Sequence, residues 1–282
     1  MSDENPILTY WRAELEAFDK NLLSLRQQIN EDATHDLRVA IKKIRSCFKL
    51  YSSILKKKHK KGLPAGIDSL FSILGKHRDI EMNKKLLLSF GGKNTAPLNP
   101  ILVYLQLLQD QAGEYSRPCI QEFESKKLET LTNGMEAEFA SLTNEQILSE
   151  ANETIDTSIR KVEDDLKHFK DRSHLVRKQL KDVFYQSKMI HDKSMFTKPQ
   201  LKNLDTILDN LGSVHDHEVL ISNLKNFRKT ILANTMREYA MIKKIEERAK
   251  KKKDDLLEKA YNSTEDLIAD YKKGNPKTEV AA

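Results

Sequence analysis

The chain has 282 residues, of which 39% are hydrophobic and 32% charged, with only nine glycines and seven prolines. This composition favours an all-helical protein, and the length allows one large domain or two small ones with a substantial core. No apolar run of about 18 residues is present, which argues against a membrane-spanning helix. The acidic start MSDENPILTY does not resemble a secretory signal, and two cysteines do not suggest a disulfide framework, so we expect a cytoplasmic protein.

The net charge is +6, from 48 Lys and Arg against 42 Asp and Glu. A protein that binds polyanions over its whole surface usually carries a larger excess of positive charge. If the ligand is an anion, we therefore expect the basic residues to be concentrated in one place and balanced by acidic residues elsewhere.

Helical periodicity covers almost the entire chain, and no convincing β-alternation is present. We predict four helices, a connector over 128–144 with short helical pieces, four further helices, and a frayed tail at 272–282. Gly91 and Gly92 end the third helix, and Asn99 and Pro100 start the fourth, as is typical of these residue types. The predicted helices cover about 6–30, 34–62, 64–90, 100–127, 145–171, 173–192, 198–226 and 229–270.

Two motifs recur in the second half of the chain in the same order. The first is His35-x-x-Arg38-x-x-x-Lys42, which returns as His174-x-x-Arg177-x-x-x-Lys181. The second is Leu74-Gly75-x-x-x-Asp79-x-Glu81, which returns as Leu211-Gly212-x-x-x-Asp216-x-Glu218. Because the two offsets are nearly equal, the pattern indicates a duplicated four-helix unit, with one copy over 1–140 and the other over 141–282.

The helix that carries the first motif has two distinct faces. At about 100° per residue, its basic side chains fall within an arc of roughly 80°, and its apolar side chains form a separate stripe about 130° away. We call these basic residues the first basic row: His35, Arg38, Lys42, Arg45 and Lys49. The second basic row keeps the register, but Phe184 stands where the first row has Arg45, so this row is weaker: His174, Arg177, Lys181 and Lys188. Lys43 and Lys178 flank the two rows.

The first row contains no acidic residue, and this absence separates two interpretations. A solvated helix surface usually mixes charges at i, i+4, because such pairs stabilise the helix. Repulsion along an all-basic row is instead removed by a linear polyanion that bridges several cations. No glycine-rich phosphate loop is present, and the first row has no aromatic residue for base stacking, so inorganic polyphosphate is favoured over nucleic acid. A solvated surface remains the alternative.

The segments HDLRVAIKKIRSCFKLY and LGKHRDIEM, with their second-half echoes, resemble the CHAD family, the conserved histidine α-helical domain. The resemblance extends from about Trp11 to about Tyr271, although Asp182 and Val183 stand where the family usually has basic residues. It implies two four-helix bundles related by a pseudo-two-fold, with basic residues lining a groove or pore that binds polyphosphate, in some members at polyphosphate granules. By position, it assigns binding to His35, Arg38, Lys42, Lys43 and Arg45, and to His174, Arg177, Lys178 and Lys181, whereas Lys49 and Lys188 extend the rows on geometry alone. The stand-alone form implies no enzymatic activity and no cofactor.

Other assignments of the histidines and acids stay open. His35 and His174 either support an anion site or bond a carboxylate such as Asp79 or Asp216, and these two acids are interpreted as structural anchors. An HD-type metal-dependent phosphohydrolase is an alternative, since His-Asp pairs begin at positions 35, 191 and 215, but His215 and His217 do not share a helix face. The lysine runs at 56–61 and 250–253 are most simply solvated helix surface. The sequence does not indicate an oligomeric state.

Overall fold

The computed structural model describes residues 5–56, 62–91, 95–233 and 235–275. Within these ranges the chain forms nine α-helices and two short 3-10 turns, with no strand, which confirms the all-α fold class. None of the described helices combines the length and apolar character needed to cross a membrane. The helices are α1 (Pro6–Gln27), α2 (Glu31–Ile54), α3 (Ala65–Gly91), α4 (Asn99–Gln121), α5 (Lys126–Phe139), α6 (Asn144–Leu166), α7 (Phe169–Met189), α8 (Lys198–Thr230) and α9 (Arg237–Gly274).

Most helix ends lie within a few residues of the predicted positions, but the last helix begins at Arg237 rather than near residue 229, because α8 continues to Thr230. Helix α2 begins at Glu31 rather than near residue 34, because the side chain of Asn30 accepts a hydrogen bond from the backbone N–H of Ala33 at 2.8 Å. Helix α3 ends at Gly91, as predicted. Gly92, the lysine run after Lys56 (57–61) and the end of the tail (276–282) lie outside the described residues.

The expected connector at 128–144 is largely a regular helix, so the prediction of short helical pieces is wrong. Helix α5 has 14 residues, and Leu128, Met135 and Phe139 are buried on one side of it. These apolar positions are spaced by seven and four residues, which is the spacing of a helix face that packs on a core.

The four helices that carry the recurring motifs form a closed ring. Helix α2 contacts α3 and α7, and α8 contacts the same two helices. Each ring helix also has an outer partner, since α1 packs on α2, α4 on α3, α6 on α7, and α9 on α8. Residues on the inward sides of the ring helices are therefore brought together from both halves of the chain.

Two hydrophobic clusters stabilise the fold, and each takes residues from both halves of the sequence. Along α3, Leu74 belongs to the larger cluster and Ile80 to the smaller one; along α8, Leu211 and Leu220 divide in the same way. Residues 75–79 and 212–219 lie between these positions, and we call them the polar band. The division into two bundles near residue 140 stays a prediction.

Candidate polyanion-binding site

Arg38 is fixed beside the polar band by two contacts with Phe71. Its Nη1 donates a hydrogen bond to the carbonyl oxygen of Phe71 at 2.6 Å, and its guanidinium carbon lies 4.3 Å from the centroid of the Phe71 ring. A Cβ atom added at Gly75 would lie only 2.8 Å from Nη1. The glycine of the LG motif therefore makes room for the guanidinium of the other motif.

Arg177 has the corresponding position in the second copy. A Cβ atom added at Gly212 would lie 3.6 Å from Arg177 Nη2, which is an ordinary contact distance. The Nε atoms of Arg38 and Arg177 are both buried without a hydrogen-bond partner in the described part of the chain. Two guanidinium groups thus retain unused donor capacity in the same region of the fold.

Lys42 and Lys181 lie in the same electrostatic environment as the two arginines. The pKa of Lys42 is lowered to about 8, mainly by burial and also by the charges of Arg38, Arg177 and Arg78. Burial likewise lowers the pKa of Lys181 to about 7, with contributions from Arg177 and Lys42. Neither ammonium group forms a salt bridge or hydrogen bond with any residue that the structure describes. Half-buried cations without a counter-ion favour binding of an external anion.

The pKa values of the two arginines are lowered as well. Burial is the main cause of the fall in the pKa of Arg38 to about 10; the charge of Asp79 opposes the fall, and that of Arg78 adds to it. Burial also lowers the pKa of Arg177. We call Arg38, Lys42, Arg177 and Lys181 the inner cluster. It combines two residues of each basic row, and their role in binding stays a prediction.

Arg78 is a basic residue of this region that the sequence reasoning missed. It lies on α3 and donates to both carboxylate oxygens of Asp216 on α8, with 3.0 Å between Nη2 and Oδ2. Its Nη1 also lies 3.7 Å from Asp79 Oδ1. Its position directly before Asp79, within the recurring motif, is the sequence feature that could have identified it. Asp216 anchors Arg78, which agrees with a structural role for this acid.

The histidines at the start of the two rows do not bond these acids. His35 and His174 are exposed, and neither forms a hydrogen bond or ion pair within the described ranges. Burial raises the pKa of Asp79, and the nearby charges of His215 and Arg38 oppose that rise. The alternative in which His35 or His174 bonds Asp79 or Asp216 is therefore wrong, because no hydrogen bond or ion pair joins either histidine to these acids within the described ranges.

The remaining predicted binding residues have other neighbours. Lys43 Nζ lies 2.8 Å from Glu14 Oε1 on α1, and Lys49 Nζ lies 2.6 Å from Asp182 Oδ2 on α7. Arg45 forms an ion pair with Asp68 and lies over the Phe71 ring, 4.2 Å from its centroid. Lys188 Nζ lies 4.2 Å from the centroid of the Phe184 ring, and Lys178 is exposed. The structure thus separates an inner cluster without counter-ions from outer residues that mostly have partners.

Two further features belong to other parts of the molecule. A cleft of about 1000 Å³ opens between α3 and α4, and its acidic lining, with Glu81, Asp110 and Glu114, does not suit a polyanion.

Among the described residues, no three His, Cys, Asp or Glu side chains come together in a way that would hold a metal ion. His217 Nδ1 instead lies 2.7 Å from the carbonyl oxygen of Ser213.

Comparison with known proteins identifies relatives of this chain. A family model described as the CHAD domain matches residues 9–225. The crystal structure of the CHAD domain from the plant Ricinus communis superposes with a TM-score of 0.65 at 17% sequence identity, covering 95% of this chain and 90% of that one. No curated protein matches the chain. At this level of identity, the structural similarity supports the shared fold.

Proposed function

Since this chain belongs to the CHAD family, we propose that it binds inorganic polyphosphate and carries out no chemistry of its own. The observation that carries the proposal is the inner cluster, in which two lysines have no partner among the described residues and burial, together with three arginines, lowers their pKa values. A phosphate polymer supplies repeated negative charge along a line, so one molecule neutralises cations from α2 and α7 together.

Both kinds of basic side chain suit phosphate. The planar guanidinium groups of Arg38 and Arg177 offer paired donors to phosphate oxygens, and each retains a buried Nε without a described partner. Lys42 and Lys181 act as point charges that regain their protons when the ligand lowers the local potential. Arg78 adds a third guanidinium, oriented by Asp216.

Replacement of both inner-cluster lysines tests this function. The double variant Lys42→Gln/Lys181→Gln is expected to lose most of its affinity for long-chain polyphosphate while its far-UV helix signal is unchanged. The control Lys126→Gln/Lys127→Gln removes the same charge from exposed positions on α5 and should bind normally. Arg38→Glu/Lys42→Glu should abolish binding. Wild-type affinity in both inner-cluster variants would refute the assignment.

Competition experiments separate this function from the two alternatives. At fixed salt, RNA or DNA should displace long-chain polyphosphate less effectively than unlabelled polyphosphate does, because the inner cluster offers cations but few exposed stacking surfaces. Phosphate release and metal content after purification test the phosphohydrolase alternative. We further propose a cytoplasmic location at polyphosphate granules, which imaging of a fluorescent fusion would check.

A further inference from the structure

Two carboxylates interrupt the first basic row at its C-terminal half. Asp182 on α7 lies 2.6 Å from Lys49 Nζ, and Asp68 on α3 pairs with Arg45. Helices α3 and α7 are the two ring neighbours of α2. Each neighbour therefore places one carboxylate beside the same stretch of α2.

The N-terminal half of the row has more basic surroundings. Burial lowers the pKa values of Arg38 and Lys42 most, and Arg78 of α3 and Arg177 of α7 add to the effect, although Asp79 of α3 opposes it at Arg38. The flanking charge therefore changes along α2, between Lys42 and Arg45, from an excess of cations to one carboxylate on each side. Asp182 directly follows Lys181, so this change occurs within one turn of α7.

We propose that Asp68 and Asp182 set the length of phosphate polymer that the site prefers, by excluding phosphate groups from the C-terminal half of the first basic row. This inference rests on the proposed function. A chain that fills the inner cluster meets, at its next phosphates, two cations that already have partners and two carboxylates that repel it. Short oligophosphates should therefore occupy the whole attractive part of the site.

The repulsion does not depend on the strength of the ion pairs. Lys49 and Asp182 are 57% and 23% exposed as side chains, so their pair opens at little cost. Opening frees Lys49, but the carboxylate of Asp182 stays beside it and faces the incoming phosphate. A charge of the same sign as the ligand at this point acts against binding of a longer chain.

Titration with polyphosphates of graded length tests the inference through a double-mutant cycle at Lys49 and Asp182. In the wild type, the affinity for polyphosphate should rise with polymer length until the inner cluster is filled. Further phosphate groups should then leave the affinity unchanged. Asp182→Asn should extend that rise and increase long-chain affinity by up to about fivefold, the strength of one exposed ion pair. It should also steepen the dependence of log K on log salt by roughly one, since one more cation contacts phosphate.

Lys49→Gln should have little effect in the wild type and should remove the gain in the Asp182→Asn background. The matched control is Glu136→Gln, which removes the same charge from an exposed pair with Arg12 between α1 and α5. Equal gains in Asp182→Asn and Glu136→Gln would show a general charge effect and overturn the inference. The inference would also be overturned if Lys49→Gln reduced long-chain affinity as much in the wild type as it does in the Asp182→Asn background. If no chain length binds to any variant, the proposed function itself fails, and the inference fails with it.

Discussion

Arg78 and Asp216 connect the two copies of the recurring motif through a two-point ion pair. Arg78 comes from the LG motif of α3 and Asp216 from the equivalent motif of α8, and the carboxylate is only 8% exposed. Burial acts against the charge on Arg78, but Asp216 raises its pKa above the ordinary value. The pair thus holds a permanent cation beside four others in the middle of the ring.

Loss of this carboxylate should destabilise the protein strongly. Asp216→Asn leaves Arg78 without its counter-ion among cations, which we expect to lower the free energy of unfolding by roughly 3 kcal/mol. Urea denaturation measures this change. Asp164→Asn, which affects an exposed pair with Lys167, should cost no more than about 0.5 kcal/mol. Similar losses in the two variants would contradict a structural role for Asp216.

Polyphosphate affinity should fall as the pH rises from 6 to 9. Lys42 and Lys181, with pKa values of about 8 and about 7, lose protons across this range in the free protein, whereas the bound polyanion favours their charged forms. Dissociation constants measured at constant ionic strength provide the check. In Lys42→Gln/Lys181→Gln the residual affinity should depend much less on pH, and an unchanged pH profile would argue against titration of these lysines.

Removal of the Lys181 charge should stabilise the free protein. The pKa of Lys181 is lower in the folded protein than its usual 10.5, so the unfolded chain binds more protons between about pH 7 and 10.5. The cost of the charge is therefore fully present below pH 7 and disappears as the pH approaches 10.5. We expect Lys181→Met to gain about 1 kcal/mol at pH 7 while binding polyphosphate less well.

Thermal melts of Lys181→Met and the wild type at pH 7 and pH 10 test that sign. The difference in Tm should shrink at the higher pH. A difference that grows with pH would show that the ammonium group stabilises the folded state.

The two motif glycines should respond differently to substitution by alanine. At Gly75 the new methyl group would lie 2.8 Å from Arg38 Nη1 and must displace this guanidinium, whereas at Gly212 the nearest arginine atom is 3.6 Å away. Gly75→Ala should therefore reduce polyphosphate affinity several-fold, and Gly212→Ala should reduce it little. Titration of both variants gives the comparison, and equal affinities would contradict the role of Gly75 in placing Arg38.

The helices of the ring could be located from the sequence, but their closure into a ring was not predicted. Periodicity located the helices, and the repeated spacing of basic residues placed Arg38 with Lys42 and Arg177 with Lys181, because these relationships lie within single helices. It did not reveal α5 as a regular helix, since that segment is short and mixes polar and apolar residues.

The partners of the outer basic residues depend on contacts between helices, which a single sequence does not specify. Lys49 and Asp182 are 133 residues apart in the chain, and Arg78 and Asp216 are 138 apart. Along α2 alone the row is uniformly basic. Only the docking of α3 and α7 on it divides that row into an inner part and a part with carboxylate neighbours.

Both hydrophobic clusters contain residues from the two halves of the chain, so neither half can lose its partner without exposing apolar surface. A gene fragment that encodes either half alone would produce helices whose apolar faces lack part of their covering, because α2 packs on α6 and α7, and α3 packs on α8. Deletion of one copy would therefore remove core packing as well as the two inner-cluster residues that the copy carries. Selection for packing then retains α7 independently of the charges on its other side.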